Sequence, residues 1–433
     1  MNLLLNIKKF SQAFRSASAS ISIVALLVSS TWSQADTPLN EILVTADFRD
    51  ATVLATPASL TVLNKEIIDR RHAVHLEQLL NVAPNVNFSS GASRGRFIQI
   101  RGIGERSQFI EPLNPSVGIL VDGIDFTGIA GAATTMDLQQ VEILRGPQGT
   151  LYGANALAGL ISLKANQPTG ETGGNVGLGM GRFNTQTVSA AIGGALSPTV
   201  NYRLAAQSHS SDGYVENDFL ARDDTDDIDE FSLRAIFTWQ TSDQLATKLT
   251  LFHADVDNGY DAFSLDNTRH TLSDKPGHDR QKSTAVAVET TWVGNDAYEW
   301  IALISFAESD LEYGYDEDWA FPSICAGKAC EGWEYNSEDN YGRDRDNGSI
   351  DLRWLSLRPV QVFGESADWV FGVYARNQEE QLRRQYTYLV ADFVSDFETE
   401  NRAVYGQLDT HLSDALTLLT GVRFERRSAD YGD

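Results

Sequence analysis

From about residue 170 to the end of the chain, apolar and polar residues alternate with period two. Phe231, Leu233, Ala235, Phe237 and Trp239 alternate with Ser232, Arg234, Thr238 and Gln240, broken only by Ile236. Trp369, Phe371, Val373 and Ala375 alternate with Gly372, Tyr374 and Arg376, and Leu416, Leu418, Val422 and Phe424 with Thr417, Gly421, Arg423 and Glu425. Successive side chains of a β-strand point to opposite faces, so each run has one apolar and one polar, often charged, face. The pattern predicts about eleven strands, on the scale of roughly 9–11 residues or more that crosses a membrane. They start near Gly174, Thr185, Val200, Phe231, Leu245, Lys282, Ala297, Gly348, Asp368, Arg402 and Leu416.

The connections alternate in length. After a short turn at Arg182–Asn184, Ser197–Thr199 is short and Asp212–Glu230 long. Ser242–Gln244 is short and Asn258–Gln281 long; Gly294–Asp296 is short and Tyr313–Asn347 very long. Arg358–Ala367 is intermediate, Thr387–Glu400 longer and Ser413–Ala415 short. Short turns on one side and long loops on the other are the plan of an outer-membrane barrel. A soluble sandwich also alternates along its strands, but has no reason to keep this parity.

Residues 50–168 differ, being Gly-rich with short mixed elements. Leu76, Leu79 and Leu80, spaced i, i+3, i+4, predict a short amphipathic helix ending before Pro84. Val117–Val121 followed by Asp122-Gly123 predicts a strand and a tight turn. The region is expected to be a compact α+β domain. Upstream, basic Lys8, Lys9 and Arg15, the apolar run Ile21–Ser30 and the triplet Ser33-Gln34-Ala35 match the three parts of a secretory signal, with cleavage expected after Ala35. The apolar run is too short to span a bilayer.

A formal net charge of -25 argues against a nucleic-acid partner, which would need a basic surface. Aromatic residues make up 10% of the 433, and Tyr and Trp suit membrane interfaces, being apolar at one end and wet at the other. After export, the close pair Cys325 and Cys330 is expected to form a local disulfide. A metal site would need more ligands, and the spacing is not the redox C-x-x-C. The expected outer connection at Tyr313–Asn347 carries Tyr313, Tyr315, Trp319, Trp333 and Tyr335 among many acids. Such rings suit stacking on a planar or catecholate ligand; they suit equally the packing of a folded loop, or lipopolysaccharide.

Two Gly-rich runs lack the residues of a nucleotide site. Arg101-Gly102-Ile103-Gly104 has no third glycine of a dinucleotide fingerprint, and Gly146–Gly153 has no Lys-Ser/Thr for phosphate and Mg²⁺. No G-x-S-x-G, H-E-x-x-H or C-x-x-C occurs, so an enzyme is not expected. Instead, Phe97–Gly102, Val117–Gly123 and Val141–Gly153 resemble, in order and spacing, the signature blocks of the plug of TonB-dependent outer-membrane receptors. Ala154–Ile161 is similar to the closing strand of that plug, and Glu41-Ile42-Leu43-Val44-Thr45-Ala46 resembles a TonB box. The Arg101–Gly104 and Ser116–Gly118 segments resemble the siderophore/pesticin-receptor-like branch.

The resemblance implies a signal peptide at residues 1–35, a periplasmic segment with the TonB box at 36–54, a plug at 55–168 and a barrel at 169–433. A barrel of this family has about 22 strands, so the chain is expected to be a fragment, or one half of a split gene. It also implies that Arg101 and Arg145 pair with carboxylates of the barrel wall. The extended box, with Ile42, Val44 and Ala46 on one face, suits strand addition to TonB, itself driven by ExbB/ExbD. The implied function is energised import of a ferric siderophore, with no cofactor. Other expected partners are outer-membrane lipid, lipopolysaccharide and the β-barrel assembly machinery. Carbohydrate, cobalamin, nickel or haem cargo, and a passive porin, are the alternatives.

Overall fold

The computed structural model describes residues 43–44, 49, 51–53, 56–90, 92–106, 115–153, 156–294, 296–327 and 336–433, all within one compact unit, Leu43–Asp433. In chain order its N-terminal domain carries β1 (Leu43–Val44), β2 (Ala51–Thr52), β3 (Ser59–Asn64), α1 (Lys65–Arg71), α2 (Glu77–Leu80), β4 (Val86–Ser89), β5 (Phe97–Ile100), β6 (Val117–Val121), β7 (Ile124–Asp125), β8 (Leu138–Arg145), α3 (Gly149–Tyr152) and β9 (Gly159–Ala165). A five-stranded sheet in the order β3-β8-β9-β6-β7 forms its centre, with only β6 and β9 parallel. Helix α1 starts where the Asn64 side chain accepts the Ile67 N–H at 3.1 Å, and it stops at His72, whose φ of 50° is left-handed. Leu76, Leu79 and Leu80 are buried against Leu63, Val141 and Ile143 of the sheet, as their spacing predicts. The turn after β6 puts Asp122 and Gly123 at φ 51° and 86°, the two positive angles of a tight hairpin. A Cβ on Gly123 would also come within 3.0 Å of Leu303, so this glycine lets the turn touch the strands described next.

Those strands are β10 (Gly173–Met180), β11 (Gln186–Ser197), β12 (Val200–Ser211), β13 (Glu216–Asn217), β14 (Ile228–Ser242), β15 (Leu245–Tyr260), β16 (His270–Thr271), β17 (Gly277–Trp292), β18 (Tyr298–Asp316), β19 (Glu338–Ser356), β20 (Val360–Val362), β21 (Glu365–Tyr386), β22 (Phe393–Ser413) and β23 (Leu416–Gly432). All but β13, β16 and β20 run in series as one antiparallel wall, each bonded to its neighbours in sequence. Their apolar positions, such as Leu233, Phe306, Phe371 and Val404, point outward and are exposed, whereas Arg234, Arg345 and Arg376 point inward and are buried. That is the arrangement required when lipid lies on one side and a filled lumen on the other.

Eleven long strands are found where about eleven are expected. Their connections alternate short and long from 198–199 to 317–337, but beyond β19 the alternation fails, since 357–364 is longer than 387–392. Several strands are longer than expected. β19 begins at Glu338 rather than near Gly348, and β22 at Phe393 rather than near Arg402. The long connection before β19 is therefore 317–337, and the one after β21 shrinks to 387–392. The β19 extension, Glu338–Asn347, is nearly all polar, and in the β22 extension Phe393, Val394 and Phe397 follow no period of two, yet backbone pairing continues across both. In consequence Tyr313 and Tyr315 belong to β18, not to a loop.

Candidate functional site

The concave side of the wall holds the N-terminal domain through buried charges. Arg94 donates from Nη1 to both oxygens of Glu230 in β14, at 2.6 and 2.7 Å, and from Nε to Glu77 at 3.2 Å. His75 Nε2 lies 2.7 Å from Glu230, and Asn258 donates to Glu230 and to Ser93 Oγ, both at 2.9 Å. Ser93 and Arg96 donate to Asp279 of β17. Elsewhere the signs reverse: Asp122 meets Arg234 at 3.1 Å, Asp125 meets Arg376 at 3.2 Å, and Asp137 takes two bonds of 2.5 Å from Arg203. Burial alone would raise the Glu77 carboxyl, but Arg94 and His75 outweigh it and hold it down at about 2. Burial, with Arg343 nearby, lowers Arg96 to about 10. Removing one member of a buried pair costs roughly 3–5 kcal/mol, because its partner stays behind uncompensated. The matched charges thus fix where the domain sits.

Arg101 and Arg145, the arginines singled out by the signature blocks, are placed differently. Arg145 donates to the Pro84 carbonyl at 3.1 Å within its own domain. Arg101 takes a left-handed φ of 55° and reaches over Gly146. Among the described residues neither forms an ion pair with a wall carboxylate. The residues that do face the wall, Arg94 and Arg96, lie just ahead of the Phe97 block. Their only sequence signal is two arginines, spaced by one glycine, in an otherwise uncharged stretch (residues 78–104) that holds just one other charged residue, Arg101.

At the end that bears the long connections, Tyr260, Tyr313 and Tyr341 are buried against Ala92 of the N-terminal domain, with Phe263 and Tyr315 alongside. Trp319 stacks on Phe263 with centroids 5.0 Å apart. Arg384, bonded twice to Asp339 at 2.7 and 2.8 Å, lies over the rings of Tyr341 and Tyr386. Tyr313, Tyr315 and Trp319 thus come together in one collar. Trp333 and Tyr335 lie outside the described residues. Cys325 is disulfide-bonded, and Cys330 also lies outside them. Among the described residues, no group of three His, Cys, Asp or Glu side chains is placed to hold a metal ion.

At the opposite end, β1 pairs antiparallel with β2, Val44 opposite Ala51. Val44 is 0% exposed and packs with Leu144, Ala156 and Leu160. Between the two strands, Arg49 donates to Ser356 O at 2.9 Å, Ser356 Oγ at 2.8 Å and Trp369 O at 2.6 Å, at the ends of β19 and β21. Leu43 and Val44 are the described part of the expected TonB box; Glu41, Ile42, Thr45, Ala46 and the expected signal peptide lie outside the described residues.

Residues 52–160 match the family model of the TonB-dependent receptor plug domain. The chain is 26% identical over 393 residues to the pesticin receptor of Yersinia pestis, covering 87% of this chain and 54% of that protein. It is 24% identical over 242 residues to the ferrioxamine B receptor of Salmonella typhimurium, covering 53% of this chain and 32% of the relative. The crystal structure of the ferric yersiniabactin uptake receptor from Yersinia pestis superposes with a TM-score of 0.74 at 20% identity, over 87% of this chain and 58% of the other. The chain spans about half the length of the pesticin receptor it matches. Residues 52–160 thus carry the plug domain of TonB-dependent receptors, and the chain as a whole, with its plug held by buried charges against a wall of long antiparallel strands, is similar to receptors of that family.

Proposed function

We propose that the chain is the plug and part of the barrel of a transporter that imports a ferric siderophore across the outer membrane, driven through TonB. The observation that carries this reading is the seating of the plug. A domain fastened to the wall at several points by buried ion pairs stands in the way of cargo, so passage requires work on the plug. A passive porin needs an open lumen, which favours the energised reading over it. The siderophore cargo is supported by the relatives, which are named for pesticin and ferrioxamine B. The ligand enters past the collar of Tyr313, Tyr315 and Trp319. TonB, powered by ExbB/ExbD, adds a strand to the Glu41–Ala46 segment, for which Val44 has to leave its buried place. The receptor works on its ligand by transport and carries out no reaction on it.

The test is Val44→Pro, in cells producing the receptor. Proline removes a ladder donor and fixes φ, so strand addition fails. Uptake of a panel of iron-loaded siderophores should be lost while binding at the cell surface persists. Uptake that survives both the substitution and collapse of the proton motive force overturns the energised reading. If no siderophore of the panel is bound at the cell surface, only the cargo is overturned.

A further inference from the structure

Two buried carboxyls, one residue apart, stand at the outer end of β18, well beyond Phe306, the last apolar residue on its outward face. Asp316 and Asp318 are each 5% exposed. Asp316 Oδ1 accepts the N–H groups of Asp318 and Trp319, both at 3.2 Å. Asp318 Oδ1 accepts the N–H of Ser337 at 3.2 Å, and the N–H of Glu317 donates to the Ser337 carbonyl at 3.0 Å. The turn so formed sets Trp319 on Phe263 in the aromatic collar. Trp319 has a φ of 58°, the left-handed region that a bulky residue rarely adopts, so its seat depends on the bonds that hold the turn.

The charges around the pair do not balance. Asp316 Oδ2 is buried and accepts no hydrogen bond among the described residues. The Asp316 carboxyl faces Asp318 and Ser273. Asp274, next to Ser273, adds a further carboxyl, and its Oδ1 also lacks a donor among the described residues. Glu317 is engaged by Ser337 Oγ at 2.7 Å and by the Tyr386 hydroxyl at 3.4 Å, and Lys275 by Glu338 at 3.3 Å. Among the described residues no Lys or Arg forms an ion pair with Asp316 or Asp318. Two buried carboxylates without a cation repel each other, whereas a protonated carboxyl gains an O–H that it can donate to its neighbour. Burial, reinforced by Asp318, pushes the Asp316 carboxyl up to about 7.

We propose that Asp316 and Asp318 share one proton and form a pH-operated catch on the collar, in which the proton holds the turn that seats Trp319 and its loss loosens that turn. Asp316 holds its proton more tightly with the turn closed than with it open. Closure is therefore strongest in acid, weakens as pH rises from the ordinary carboxyl value of 3.8 to about 7, and changes little above. The catch restrains the collar in acid and frees it for ligand in neutral medium. The inference rests on the transport reading for the role of the collar, but its test measures no transport.

Hydrogen exchange at the Asp318 and Trp319 amides is followed by mass spectrometry on the purified receptor in detergent, each rate being divided by its intrinsic rate at that pH. Protection should fall at least about tenfold between about pH 5 and about pH 7, since one proton gives up to about tenfold per pH unit, and should level off above about pH 8. Asp316→Asn puts a permanent donor in place of the proton. It should keep protection at the acid level throughout, and a gain at the alkaline end does not arise from misfolding. Protection independent of pH in the wild type, or a fall that persists in Asp316→Asn, overturns the catch. Protection restored at the alkaline end by added calcium and lost again with EDTA also overturns it, because the pair would then be a cation site. None of these results bears on energised uptake, so the failure of one reading stays distinct from that of the other.

Discussion

Glu77 lies behind the contact with the wall, paired inside the plug with Arg94 and His75, the two residues that reach Glu230. The Glu77 carboxyl is held at about 2, below its ordinary value of 4.5, because Arg94 and His75 outweigh the cost of burial. A depressed carboxylate contributes stability that is present above its unfolded value and is lost as pH falls toward its folded one. The contribution of Glu77 should therefore be intact above about pH 4.5 and fade toward about pH 2. In thermal melts of wild type and Glu77→Gln, the gap between the two should be constant near neutrality and close across that acid window. A gap that stays the same at every pH would mean that Glu77 is not held ionised by its partners. The arginines of the signature blocks illustrate the opposite case. Arg101 and Arg145 stand out in sequence, but the chain turns them toward Gly146 and Pro84 of the plug itself.

At the scale of elements, the strands are longer than their amphipathic signature. Residues 338–347 read as loop, since acids, arginines, Gly342 and Tyr341 follow one another without alternation. They nevertheless pair with β18 on one side and β21 on the other. Asp339, Tyr341, Arg345 and Asn347 are buried on the inner face of this stretch although most of them are polar, and its cohesion comes from backbone bonds and cross-strand pairs such as Tyr313 opposite Tyr341. Hydrogen exchange should find the amides of Glu338–Asn347 protected like those of Gly348–Ser356. Exchange as fast as in the 317–337 connection would show that the extension is loop after all. The N-terminal helix α1 is the converse, a short element with a legible start in Asn64 and its Ile67 partner.

Across the whole wall, register lines up an aromatic row. Trp292 lies opposite Trp300, Trp300 opposite Trp354 and Trp354 opposite Phe371, on four successive strands and near their short-turn ends. The rings touch, with centroids 6.2 Å apart for Trp292–Trp300 and 5.7 Å for Trp354–Phe371. Such a row belongs at a membrane interface, where the ring body meets acyl chains and the indole N–H meets water. In vesicles, lipid brominated near the headgroup should quench this emission more than lipid brominated at the chain ends. Replacing Trp292, Trp300 and Trp354 together by Phe should remove most of the shallow component. If the deep quencher is the stronger one, the row is not at the interface.

The sequence by itself determined the architecture. A strand between lipid and a polar lumen has to alternate, so its faces and the parity of its connections are written locally, and the plug blocks carry a family likeness in their order. It also marked the turn at Asp122-Gly123, because only certain residues accept positive φ there. What the tertiary structure alone decided is which charges meet. Arg94 and Glu230 are 136 residues apart, and Arg96 and Asp279 are 183 apart. No local pattern ties such partners together, since a buried ion pair is specified by the register of a strand against a domain folded elsewhere in the chain. The same holds for Val44, whose extended, apolar-faced segment looks free in sequence but is buried on the plug sheet. Alternation reveals which face a residue points from; only the closed packing of plug and wall decides what that face will touch.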